Sequence, residues 1–558
     1  MKKTKIYIVL GIILFLIIIT IALVASTLGI VVRQSKTETK NVECNEGALV
    51  CSISSNDLMK HLQQLQNIAD ESNSTRAIHT KGFNQTFDYI YNYLKTNTNL
   101  KVQTEYFSYM KFILNNTPML STNINGLEMN YTYGLKHDFT YLRNSESSDF
   151  NTPFQVTSIP NFGCDESDWL NATSSSSSLR DKIALIKRGN CTFTEKSLLA
   201  VKYGVVGLLI YNDGTTPNRY SPVSGRVDQN ITFPALSISY QIASSLVNAI
   251  QNVATNVVVR IHISTTKYPE PVGNICAHTI TGDATQTIVI GSHTDSVPEG
   301  PGINDDGSGT ATNLVLATNL DRLFQTSSYP PYKYRVKFCW WGAEEVGIVG
   351  SRYHVSQANY STIPGERISD YLVNLNYDML GSPNFQMGIY DGHTANFSTT
   401  PPKAIPGSIR LTELFRNWFI DQNLPYTISE LGGGSDYASF LAAGIVISGL
   451  NSGISDIKTK EERDYYNRLL GQGNGGVANA EYDPCYHQSC DSLANINPLG
   501  HEKLSKAAAY ILEYLGRHSD LRSYLYPSDE IRQLEKISTY RSTEKDNVQY
   551  EFYRINDL

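Results

Sequence analysis

From residue 266 onward, short runs of β-branched and aromatic residues alternate with stretches whose apolar residues fall at helical spacing. The strand-like runs are NICAHTI (274–280), QTIVIGS (286–292), RVKFCWW (335–341), YLVNLNYD (371–378) and AGIVISGL (443–450). Helices are expected at 309–323, 408–422 and 500–515. Strands that are apolar on both sides and separated by amphipathic helices build an α/β fold, an open mixed sheet covered by helices on both faces. This pattern constrains everything else.

Two of these runs end in unusual charge. The first continues as GSHTDSVPEGPGINDDGSG, and the second as WWGAEEVG. In an open α/β sheet the functional crevice lies at the carboxyl ends of the strands. That places His293 and Asp295, then Asp305, Glu344, Glu345 and Asp378, at the crevice. A further segment, DPCYHQSCD, contributes His487. Carboxylates converging beside apolar strands repel one another unless cations neutralise them. Imidazole and carboxylate donors without thiolates suit Zn²⁺ or a similar divalent ion. Other hydrolase and nucleotide signatures are missing: no G-x-S-x-G, no G-x-x-x-x-G-K-[ST], and HEKLS at 501–505 lacks the second histidine of H-E-x-x-H.

At 558 residues the chain is too long for one core. The net charge of −7 comes without a basic block, which speaks against nucleic acid as a partner. Lys2, Lys3 and Lys5 precede the apolar run 6–32, long enough to span a bilayer; a signal anchor and a cleaved signal peptide both remain open. Residues 1–5 would be a cytosolic tail in the anchored case, with the catalytic mass lumenal or extracellular. In the cleaved case the protein would be secreted or enter a lysosome- or vacuole-like lumen. Glycosylation acceptors recur along the chain, from Asn73 to Asn396. Disulfides are expected for Cys44/Cys51, Cys164/Cys191 and Cys485/Cys490, with Cys276 and Cys339 as buried thiols. His354 and His393 read as surface residues. The remaining divisions are 33–139, a linker and the first part of the main domain; 140–265, a β-rich insertion; 266–520, the rest of the main domain; and 521–558, a polar surface extension.

Two resemblances emerge. KIALIKRGNCTF and GVVGLLIYND, within 140–265, resemble the protease-associated (PA) domain found in secreted peptidases. HTDSV, GPGINDDGSG, WWGAEEVGIVGS, NYDMLGSPN, SDYASF and DPCYHQSCD, in that order, resemble the aminopeptidase Y-like, co-catalytic di-zinc aminopeptidases. That resemblance implies a zinc exopeptidase fold and removal of N-terminal residues from peptides with a free N-terminus. It implies two Zn²⁺ ions: His293 and Asp378 on one, Glu345 and His487 on the other, and Asp305 shared. Glu344 would be the general base, Tyr486 would polarise the developing oxyanion, and Asp295 would orient the His293 imidazole. A cis Asp305–Asp306 peptide is also implied. An inactive binding receptor and a single-zinc glutaminyl cyclase on the same scaffold are the alternative functions.

Overall fold

The computed structural model describes residues 47–543 apart from 150, 176–177, 217–218, 253–254 and 396–399. The apolar run 6–32 and Cys44 lie outside the described residues. Among the described residues no helix is long and apolar enough to cross a membrane. They divide into two compact units, one spanning Tyr106–Gly273 and the other formed by the residues on either side of it.

The larger unit is built on an eight-stranded sheet. Its strands are β1 (Lys101–Leu114), β2 (Thr265–His278), β3 (Asp283–His293), β4 (Tyr334–Trp341), β5 (Tyr371–Tyr377), β6 (Gly388–Tyr390), β7 (Thr427–Ser429) and β8 (Val446–Asn451), in spatial order β1-β2-β4-β3-β5-β8-β6-β7. β3 lies parallel between β4 and β5, and β8 continues parallel beyond β5. From β3 the chain crosses first to one neighbour, β4, and next to the other, β5. The crevice at this reversal of direction is where such sheets bind ligands.

Every residue of β4 and β5 is buried. Ile288 and Ile290 point into one core with Phe338, Trp340, Leu375, Leu314 and Leu512. Val289, between them, points to the other face with Cys339, Trp341, Ile447 and Phe440. Two covered faces explain why these runs lack the alternation of a half-exposed strand. Each such side chain contributes roughly 1.5–3 kcal/mol by leaving water. The covering helices include α1 (Ser55–Asp70), α2 (Lys81–Asn97), α3 (Gly307–Phe324), α4 (Val349–Tyr360), α5 (Ile405–Asp421) and α6 (Pro498–Arg517). Ser54 and Thr80 cap α1 and α2 by accepting from the N–H groups of Asp57 and Phe83.

The smaller unit has its own eight-stranded sheet. Strands 153–158, 182–187, 207–211 and 235–238 run parallel in that order; helices 166–175 and 193–202 connect the first three, and helix 240–251 leads from the last to the antiparallel strand 257–262. Thr192 and Glu195 form a capping box at the start of the first of these helices.

Several expectations change. Cys276 and Cys339 are a disulfide and not free thiols: they face each other in the antiparallel β2–β4 register, with Cα atoms 4.1 Å apart. Directly opposed residues at a closely spaced pair come near enough to bridge. The chain after 520 is more than a surface extension, because Leu521 and Leu525 of a short helix are fully buried in the main core. The smaller unit reaches beyond 140–265 on both sides, since strand 119–124 pairs with strand 257–262. His354 is buried rather than exposed: its Nδ1 lies 2.8 Å from Glu105 and its Nε2 2.9 Å from the Tyr371 hydroxyl. His393 is partly buried against Asp391 at 2.7 Å. The pairs Cys164–Cys191 and Cys485–Cys490 are formed.

Candidate metal centre

His293 is the last residue of β3, Glu344 and Glu345 follow β4, and Asp378 follows β5. Asp305 belongs to the loop between β3 and α3. His487 projects from a loop closed on itself by the Cys485–Cys490 disulfide. Ala343, Met379 and His487 all have positive φ (62°, 58° and 57°), so each of these segments turns sharply beside the residue that enters the crevice. Left-handed conformations cost non-glycine residues energy and gather where surrounding structure fixes them for a purpose. The Asp305–Asp306 peptide is cis.

The side chains converge as two groups. Ligand-capable atoms of His293, Asp306 and Asp378 lie within 4.8 Å of one another, and so do those of Asp305, Glu345 and His487. Asp305 joins the two groups: its Oδ1 lies 3.2 Å from His293 Nε2 and its Oδ2 lies 3.1 Å from His487 Nε2. Asp378 Oδ1 is 3.6 Å from the same His293 nitrogen, and Glu345 Oε2 is 3.1 Å from His487 Nε2.

Each residue is held from behind. His293 Nδ1 contacts the Asp295 carbonyl at 3.0 Å, leaving Nε2 directed at the carboxylates. The Asp295 carboxylate accepts from the backbone N–H groups of Glu344 (3.1 Å) and Glu345 (3.3 Å), tying the end of β3 to the loop after β4. Asp378 accepts from the Ser435 hydroxyl at 2.5 Å. Asp491 accepts from the N–H groups of Asn304 and Asp305, at 2.8 and 3.0 Å. Asp306 is more than a helix cap: one oxygen accepts from Gly309 and Met379, the other from His293. Sequence reasoning missed Asp306, Ser435 and Asp491 as supporting residues, although Ser435 opens the SDYASF motif and Asp491 closes DPCYHQSCD.

Electrostatics show what the cluster favours. Burial pushes the Glu344 carboxyl well above the usual range, and the fields of Asp436, Glu345 and Asp378 add to it against His293. Burial and Asp305 push Glu345 to about 7, against the pull of His487. Burial alone would lower His293 and His487. Asp378 and hydrogen bonds to Asp295 and Asp305 drive the first well above its ordinary value, and hydrogen bonds to Asp305 and Glu345 raise the second to about 11. Asp305, despite burial, is held low by both imidazoles. The cluster draws positive charge onto every group that can carry it. A donor set of imidazoles and carboxylates with this appetite fits divalent zinc.

Residues 274–512 match peptidase family M28, and residues 152–246 match the PA domain. An aminopeptidase of Pseudomonas aeruginosa is 32% identical over 474 residues, covering 83% of this chain and 81% of that protein. The chain belongs to peptidase family M28. Aminopeptidase Y of Saccharomyces cerevisiae is 30% identical over 439 residues, 77% of this chain and 71% of that protein. Among solved structures, the aminopeptidase of Aneurinibacillus sp. strain AM-1 superposes with a TM-score of 0.60 at 20% identity, covering 84% of this chain and 96% of that one. A zinc aminopeptidase of Bacillus subtilis gives 0.56 at 18%, covering 84% and 97%. Likeness at those identities shows a shared fold. The larger unit, with its mixed α/β sheet, is therefore the M28 peptidase unit, and the smaller unit contains the PA domain.

Proposed function

We propose that this M28 peptidase is a zinc aminopeptidase that releases N-terminal residues from peptides at a pair of metal ions. The observation that carries the reading is Asp305, whose two oxygens each face a different imidazole, 3.2 and 3.1 Å away. His293 and Asp378 would hold one ion, Glu345 and His487 the other, with Asp305 shared. When bound, two zinc ions would polarise the scissile carbonyl and lower the pKa of the attacking water.

The protein's own groups supply the proton transfers. Glu344 stands in neither triad of ligand-capable atoms, yet it is partly buried and interacts through space with His293 and Asp378 of one and Glu345 of the other. It takes a proton from the attacking water and returns it to the leaving amine. Burial alone would keep it protonated, and bound cations would favour its ionised form. Tyr486 stacks on His487 with ring centroids 3.8 Å apart, and burial raises its phenol far above ordinary range. It stays protonated and donates to the carbonyl oxygen as charge develops there. Asp295 fixes the His293 ring and the Glu344 backbone together.

Glu344 and Asp378 also give the crevice negative charge for a substrate α-ammonium group. An N-acetylated peptide would lose that ion pair and leave buried carboxylates uncompensated. The test compares a short peptide with its N-acetylated twin, following products by mass before and after chelation. Stepwise release of single residues from the free peptide alone supports the reading; internal cuts, or equal cleavage of both, would overturn it. The reading extends to an oxidising secretory compartment, anchored or lumenal, which the disulfides Cys164–Cys191, Cys276–Cys339 and Cys485–Cys490 support.

A further inference from the structure

The segment between α1 and α2 carries Arg76, whose side chain has no exposure to solvent. Taking a guanidinium out of water costs several kcal/mol unless its donors and charge are compensated. Its Nε donates to the Pro301 carbonyl (2.8 Å), Nη1 to Thr294 (2.5 Å) and Nη2 to Gly302 (2.5 Å). The neighbouring backbone joins in: Arg76 N–H donates to Ser296 Oγ (3.0 Å), and Thr75 Oγ1 donates to the Val297 carbonyl (3.0 Å). All these acceptors belong to residues 294–302, the loop that begins beside His293 and ends just before Asp305. Burial works against the guanidinium charge, while Asp491, Asp295, Asp306 and Asp305 stabilise it through space. The loop packs closely around it: a Cβ on Gly302, whose φ is +61°, would meet the Asp305 carbonyl at 2.3 Å and Arg76 Nη2 at 3.2 Å.

We propose that Arg76 is a positioning residue for the metal centre, fixing the 294–302 backbone so that His293 and Asp305 meet at the observed spacing. The proposal rests on the reading of those two residues as ligands. A planar fork suits the task, because one guanidinium reaches three carbonyls whose directions diverge. Binding carbonyls also keeps it off the carboxylates. An arginine paired directly with Asp305 would occupy the oxygens a cation needs, whereas this one lends positive charge nearby and leaves them free.

The experiment uses the full chain with Arg76→Lys, Arg76→Met and Ser296→Ala. Hydrogen exchange of residues 294–302 is followed in zinc-free protein, and Zn²⁺ affinity is measured by competition with a chelator. Arg76→Lys should exchange faster in that loop while the rest of the sheet keeps its protection. It should bind Zn²⁺ about 10–100-fold more weakly, the usual effect of removing a partner that orients ligands. kcat should fall more than KM rises, and Ser296→Ala should move in the same direction by less. Should Arg76→Met fail to fold, Arg76→Lys and Ser296→Ala decide the matter. Unchanged loop exchange and Zn²⁺ affinity in those two would overturn the proposal, as would lower stability of the whole unit with Zn²⁺ affinity unchanged. A wild-type chain that bound no zinc would sink the two-metal reading itself. Wild-type protein with two ions, beside variants of equal affinity, would sink the role of Arg76 alone.

Discussion

Replacing Asp305 by asparagine tests the centre most directly. Each oxygen of this carboxylate serves a different imidazole, at 3.2 and 3.1 Å. Asparagine keeps one oxygen and presents an NH₂ in place of the other, so whichever way the amide turns, one group of ligands faces a donor. The other group keeps its oxygen but loses the formal charge. Two unit charges about 4 Å apart at an effective dielectric of about 20 interact by about 4 kcal/mol. Losing that attraction corresponds to roughly 10³-fold in a dissociation constant. The backbone is spared, because the Asp305 N–H still donates to Asp491 and the Asp306 cap is untouched. The variant should therefore melt as a folded protein yet retain at most one zinc after dialysis against a weak chelator, with turnover of an aminoacyl anilide lost. Metal content by mass spectrometry and turnover on the same sample decide it. A variant with two zincs and near-normal turnover would refute the shared-carboxylate argument.

Glu344→Gln should keep both metals and lower kcat by about 10²–10⁴, the usual scale of general acid–base catalysis; metal analysis beside steady-state kinetics separates this from ligand loss. His501 is fully buried and burial lowers its pKa to about 4. The unfolded chain binds its proton first, so stability present above about pH 6.5 is lost as pH falls towards 4, by up to about 3 kcal/mol. Denaturant midpoints across that window should fall less steeply for His501→Gln than for wild type. Replacing Cys276 and Cys339 together by alanine should lower unfolding free energy by about 4 kcal/mol on the loop-entropy estimate for a separation of 63 residues. Equal urea midpoints for the variant and wild type would contradict that figure.

The parts of this molecule legible in the sequence are those with a local signature. β3, β4, β5 and β8 announce themselves as apolar runs, and His293, Glu344 and Asp378 stand out because charge at the end of such a run is costly. Arg76 carries no such mark: its contact with Thr294 spans 218 residues, and an isolated arginine between two helices reads as a surface residue. Cys276 and Cys339 read as thiols because strand register, which brings them face to face, is set by tertiary pairing. His354 escapes for the same reason, its partners Glu105 and Tyr371 lying on β1 and β5. Leu521 and Leu525 form too short a helix to show a period.

The wide spacing of the parts also governs when the centre can exist. Leu49 donates to Glu513, and Leu493 to Gln66, across 464 and 427 residues. Chains emerge from the ribosome amino end first, and early domains can fold while later ones are still being made. A nascent chain complete through Asp378 still lacks His487, Tyr486 and the Asp491 that grips Asp305. If two metals carry the reaction, such a partial chain is inert as a hydrolase. On that reading, peptide-cleaving power waits for the late segments to pack against the opening helices, as the Leu49–Glu513 and Leu493–Gln66 contacts require.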